Sequence, residues 1–156
     1  MSKAVKNFLR FKDYIWSIGY NPSLGSLDKR KLGVFNFMNF LGILSGIFIP
    51  LAGGLFNKDH LPSLVWLVAC CPAIVSLVVL ITNYYRQYEL AKALYFIVYP
   101  IMTSLVYAMR VDAGIEFFFV LYGILSVFFL QRLYNIILAF SLSMFCYFLT
   151  STVWKD

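Results

Sequence analysis

The fold class that the sequence predicts is all-α: a polytopic bundle of membrane-spanning helices. Three observations predict it. Hydrophobic residues make up 62% of the 156-residue chain and charged residues only 13%, whereas a soluble domain averages roughly 45–50% apolar and about 25% charged. Mean hydropathy is +0.80; with so few charges the chain cannot clothe a water-facing surface, so lipid is the solvent for most of it. The apolar residues also fall in five long Leu-, Phe- and Ile-rich runs. A helix crosses the hydrocarbon core in about 20 such residues, while membrane β-strands show alternating segments of about 10.

Residues 1–31 form a lead before the first run. Val5, Phe8, Leu9, Ile15 and Trp16 fit one stripe of a helix and are interleaved with Lys6, Arg10, Lys12 and Asp13; Phe11 and Ile18 fit the stripe less well. The pattern predicts an amphipathic helix at the cytoplasmic leaflet, read either as a topology anchor or as a recognition element. Gly19 is a stop and Asn21-Pro22 a turn. The cluster Asp28-Lys29-Arg30-Lys31 then marks the entry to the first span. An apolar run that begins only after this lead does not read as a cleaved signal peptide.

The predicted transmembrane domain, residues 32–156, contains spans at 32–56, 61–82, 90–109, 114–130 and 133–154. In the first span Gly42 and Gly46 form a G-x-x-x-G pair, which places two small residues on one helix face and admits a neighbouring backbone. That neighbour is either another helix of the same bundle or a second copy in a homodimer. Pro50, Gly53 and Gly54 loosen the outer end of this helix. Pro72 and Pro100 lie mid-span and predict kinks, read as static packing features or as hinges. Cys70, Cys71 and Cys146 lie in spans with no ligand partners at metal spacing, and read as small apolar residues. Trp16, Trp66, Trp154, Tyr84, Tyr85 and Tyr88 stand near span ends, as in an interfacial aromatic belt.

Charge sets the expected orientation. With the N-terminus inside, Lys3, Lys6, Arg10, Lys12, Lys29, Arg30, Lys31, Arg86, Lys92 and Arg132 are cytoplasmic, and Lys58, Arg110 and Lys155 are outside. Short loops rich in Lys and Arg stay cytoplasmic, so the chain is expected to cross its membrane with the N-terminus inside. Five spans is an odd number, so the C-terminus is expected outside. The net charge of +6 then faces anionic lipid headgroups and not nucleic acid.

One polar constellation stands out. Arg110, Asp112 and Glu116 cluster where the third span ends and the fourth begins. Asp112 and Glu116 share a helix face if the helix starts early; otherwise Asp112 caps it. Glu116 leads into Phe117-Phe118-Phe119, where an ionised group is costly unless paired or wet. Arg110 is its natural partner, and His60 and Asp59 of the other outer loop are within reach of joining them. The cluster reads either as a small ligand- or ion-sensing pocket or as helix caps that mark the interface. No phosphate loop, zinc motif or nucleophile motif occurs, and His60 is the single histidine; neither catalysis nor a cofactor or metal site is expected.

The order of short strings carries a resemblance. Ile18-Gly19-Tyr20-Asn21-Pro22 precedes Lys29-Arg30-Lys31-Leu32 and Phe35-Asn36; then come Tyr88-Glu89-Leu90-Ala91-Lys92-Ala93-Leu94 and Asp112-Ala113-Gly114-Ile115-Glu116-Phe117-Phe118-Phe119. Together they resemble the N-terminal multi-helix membrane domain of bacterial signalling proteins of the Bacteroidetes type. In those proteins the domain precedes a cytoplasmic sensor histidine kinase or a class III adenylate or guanylate cyclase. The resemblance implies a sensory or anchoring module of signal transduction in the bacterial inner membrane, with a fused or associated cytoplasmic effector. The family pattern has six spans, the sixth leading into the effector. Five spans here imply a longer parent protein, an undercounted span or a free-standing relative. The rival expectations are a standalone accessory or assembly membrane protein, and a small transport subunit; against the latter, the spans hold almost no mid-membrane charge.

Overall fold

The computed structural model describes the backbone of residues 3–56, 63–108 and 116–153, with side chains for residues 3, 5–52, 69–106 and 117–152. The described chain is entirely helical: α1 (Lys3–Trp16), α2 (Ser26–Phe56), α3 (Ser63–Tyr84), α4 (Tyr88–Ala108), α5 (Glu116–Phe129) and α6 (Leu133–Val153). Helices α2 to α6 follow the five predicted runs closely. The main shift is at the start of α2, which takes in Asp28, Lys29, Arg30 and Lys31 in its first turns, so the basic cluster that marks the entry to the span is itself helical. The helix also continues through Pro50 to Phe56, so the residues expected to loosen its outer end do not terminate it.

Three of these helices, not five, are long and apolar enough to cross a membrane among the described residues: Ser26–Ala52, Tyr88–Val106 and Leu133–Thr152. The other two predicted spans correspond to shorter apolar stretches, Ala69–Tyr84 and Phe117–Phe129. Helix α5 has 14 residues; at 1.5 Å per residue it is about 21 Å long, against a hydrocarbon core of about 30 Å.

Helix α4 sits at the centre, packed against α3, α5 and α6, while α2 packs on α3 and α1 on α2. The apolar core joins Phe35 of α2, Val79 of α3, Ala91, Tyr95 and Phe96 of α4, and Tyr122 and Phe129 of α5. The burial pattern is inverted relative to a soluble protein. Asn36, Asn39, Ser76, Asn83, Ser126, Ser143 and Thr150 are fully buried, while large apolar side chains such as Phe117, Phe48 and Ile49 face outward. An apolar exterior over a polar-seamed interior is what a lipid solvent selects: lipid gives no reward for hiding Phe or Ile, whereas buried polar groups glue helices together.

Hydrogen bonds bring one set of helix ends together. Asn83 near the end of α3 donates to Asn36 near the start of α2 (2.9 Å), and Gln131 in the α5–α6 turn donates to Asp28 (3.0 Å). Lys29, Arg30, Lys31, Arg86, Lys92 and Arg132 therefore share one end of the bundle, as the charge pattern groups them.

Candidate functional site

His60, Asp59, Arg110 and Asp112 lie outside the described residues, and of Glu116 only its place at the first residue of α5 is described. Gly42 and Gly46 both face α3. A Cβ on Gly42 would strike Ser76 Oγ and lie 3.0 Å from Tyr99 Oη; one on Gly46 would strike the backbone of Ala73. The G-x-x-x-G face is thus occupied inside the bundle and is not an open surface for a second copy. Helices α3 and α4 run through Pro72 and Pro100. Tyr99 Oη donates to the carbonyl of Pro72 at 3.2 Å, so the proline turn of α3 is tied to α4. Cys70, Cys71 and Cys146 are free thiols.

The structure instead shows a polar clamp at the basic end. The α1–α2 connection passes over the α3–α4 turn at Gly19, whose backbone takes φ +75°. Tyr88 at the start of α4 donates to the Gly19 carbonyl at 2.5 Å. Asn36 Nδ2 donates to the carbonyls of Ile18 (2.9 Å) and Trp16 (3.4 Å), and its Oδ1 accepts from Asn83. Trp16 lies on Gly33, where a Cβ would overlap the indole. Three helices and the connection are thereby joined through two asparagines, a tyrosine and two glycines. Tyr20 adds a bond to the Lys29 carbonyl at 2.9 Å, and burial pushes its phenol pKa up from the ordinary value, keeping the donor protonated.

The clamp fixes only the end of α1. Ile15 is buried, whereas Val5, Phe8 and Leu9 are exposed. Phe11, which fits the sequence stripe poorly, meets Phe40 of α2 edge-on at 5.4 Å. Phe40 lies about 14 Å beyond Lys31 along the helix axis, so α1 leans against α2 and does not splay away from the bundle at its C-terminal half.

A second, deeper seam crosses the bundle. Ser76 and Tyr99 hydroxyls are 2.5 Å apart; Thr103 bonds the Tyr99 carbonyl at 2.8 Å and the Tyr122 hydroxyl at 3.1 Å. The rings of Tyr95 and Tyr99 lie 4.6 Å apart, and those of Tyr99 and Tyr122 6.0 Å apart. These groups are neutral, so the seam joins α3, α4 and α5 without placing a charge in lipid. Sequence reading misses both assemblies. The available signal was the amides at Asn36 and Asn83 and the tyrosines four apart at 95 and 99, each at an apolar position where an unpartnered polar group is costly. Compared with protein-family models, with curated proteins and with solved structures, the chain matches none.

Proposed function

We propose that the chain is a membrane-embedded anchoring and input module of a signal-transduction assembly, with no catalysis of its own. In this arrangement α2 to α6 make five crossings, the basic end lies on the cytoplasmic side against anionic headgroups with α1 leaning from it along α2, and the C-terminus lies outside. The grouping of the basic helix ends at one pole supports the five crossings. The resemblance to membrane domains of bacterial sensor kinases and cyclases supports the signalling role.

The observation that carries the proposal is the clamp at Gly19, Asn36, Asn83 and Tyr88. Any shift of α2 against α3 or α4 moves the end of α1, because all three helices hold the same connection. A membrane state that favours one packing therefore biases the pose of α1, whose exposed Phe8 and Leu9 are offered to the surrounding leaflet.

The test places spin labels at Arg10→Cys and Tyr85→Cys, with Cys70, Cys71 and Cys146 replaced by alanine, in bilayers of stepwise anionic content. The expected result is a distance distribution that shifts with composition and loses that response with Asn36→Ala. A single distance, unmoved by composition, overturns the input role; solute flux through liposomes of the purified chain replaces it with transport.

A further inference from the structure

A cavity of about 190 Å³ opens at the basic end, between the first turns of α2, the first turns of α4 and the α5–α6 turn. Its walls carry two ammonium groups, Lys31 and Lys92, and two carboxylates, Asp28 and Glu89; Phe35 and Phe129 form part of its floor. The charges already have partners of modest strength. Lys92 Nζ lies 3.0 Å from Glu89 Oε1, and the Glu89 side chain is 56% exposed. Asp28 accepts from Gln131, and Lys31 Nζ stands 5.2 Å over the Phe128 ring. The exposed carboxylate of this pair exchanges partners at little cost, while Lys92, 15% exposed, stays at the cavity wall.

The cavity is electrically balanced although the chain carries +6. A site for a purely anionic headgroup has no use for two carboxylates, which repel phosphate. A ligand bearing both an anion and a hydrogen-bonding cation satisfies all four walls. Glu89 also borders a second space, a groove of about 330 Å³ between α4 and α6, lined by Ala93, Phe96, Ile97, Leu138 and Leu142 among others. A charged mouth that shares a residue with an apolar groove matches an amphipathic molecule with a compact zwitterionic head and a hydrocarbon chain.

We infer that the cavity and groove form one binding site for a phospholipid with a phosphoethanolamine headgroup. Its phosphate lies between Lys31 and Lys92, its primary ammonium donates to Asp28 and Glu89, and one acyl chain lies in the α4–α6 groove. Phosphocholine brings a cation with no N–H to donate, and phosphoglycerol brings hydroxyl donors with no cation, so each matches the carboxylates only in part. The site rests on the chain being embedded in a bilayer and not on its signalling role.

The test reconstitutes the full chain in nanodiscs from equal fractions of phosphoethanolamine, phosphocholine and phosphoglycerol lipids with identical acyl chains, and counts retained lipids by native mass spectrometry. The wild-type chain is expected to retain the phosphoethanolamine lipid about fivefold over each competitor. Asp28→Asn with Glu89→Gln removes that preference while lipid is still retained. Lys31→Gln with Lys92→Gln lowers retention of all three lipids, whereas Lys29→Gln with Arg30→Gln, the same charge change outside the cavity, does not. Ala93→Phe, which fills the groove, lowers retention and leaves the headgroup ratio unaltered. Equal retention of the three lipids by the wild-type chain overturns the site, whatever the variants do, as does an equal loss from the Lys29/Arg30 pair. A chain that does not partition into membranes at all overturns the membrane reading with it.

Discussion

At Gly19 two constraints coincide. The backbone takes φ +75°, and a Cβ there would overlap the Asn83 carbonyl. Left-handed backbone costs an L-residue about 1–2 kcal/mol, and the overlap with backbone adds strain of about 1–3 kcal/mol. Gly19→Ala is therefore expected to destabilise the bundle by about 2–5 kcal/mol, measured by unfolding in mixed micelles followed by circular dichroism. Asn36→Ala strips partners from the Ile18 carbonyl and the Asn83 amide, and is expected to cost about 1–3 kcal/mol. Arg86 is the opposite case. It takes φ +62° at the end of α3, where Arg86 N bonds Asn83 O and Gln87 N bonds Thr82 O. That pair of bonds is the Schellman arrangement, whose left-handed position is usually glycine. Arg86→Gly is expected to raise stability by up to about 1 kcal/mol; a loss of stability shows that the guanidinium matters more than the backbone. The raised Tyr20 pKa favours the folded state while the phenol is neutral, so its contribution is full below the ordinary tyrosine value and fades as pH rises through the higher folded one. Gly19 was legible as a stop in the sequence; Arg86 was not, because nothing in an arginine announces a left-handed turn.

Among the elements, α2 and α3 meet along a face of small and polar residues: Asn36 on Asn83, Gly42 on Ser76 and Tyr99, Gly46 on Ala73. Lipid supplies no hydrophobic drive between helices, so close backbone approach and hydrogen bonds hold this face. Gly46→Leu drives a side chain into the Ala73 backbone and is expected to destabilise the monomer by about 1–3 kcal/mol, with the oligomeric state on size-exclusion chromatography with light scattering unchanged. A dimer lost on Gly46→Leu without loss of monomer stability contradicts the intrabundle assignment. Tyr99→Phe removes the bonds to Ser76 and Pro72; interhelical bonds in membranes average about 0.6 kcal/mol and reach about 1.7, the range expected in the same unfolding measurement. Helix α1 was legible as an amphipathic helix from its stripe. Its lean onto α2 was not, because Phe11 lies off that stripe and acquires its role only through Phe40.

Across the whole molecule, the basic helix ends collect at one pole. Topology reporters fused after Arg86 and Arg132 are expected to read cytoplasmic, and those after Lys58, Val111 and Asp156 outside; a cytoplasmic signal at Asp156 overturns five crossings. The helical class, the runs that become α2 to α6 and the cations of the helix ends are legible in one dimension, because composition and charge act locally and lipid solvation responds to each run alone. Packing in three dimensions sets the rest: Gly42 and Gly46 face α3, Asn36 and Asn83 meet, the rings of Tyr95, Tyr99 and Tyr122 adjoin, and two lysines and two carboxylates share one cavity. Each of these depends on the rotation of one helix about its axis relative to another. In a run apolar on every side, nothing in the one-dimensional pattern sets that rotation; it is set when small residues, amides and hydroxyls find partners across the interface.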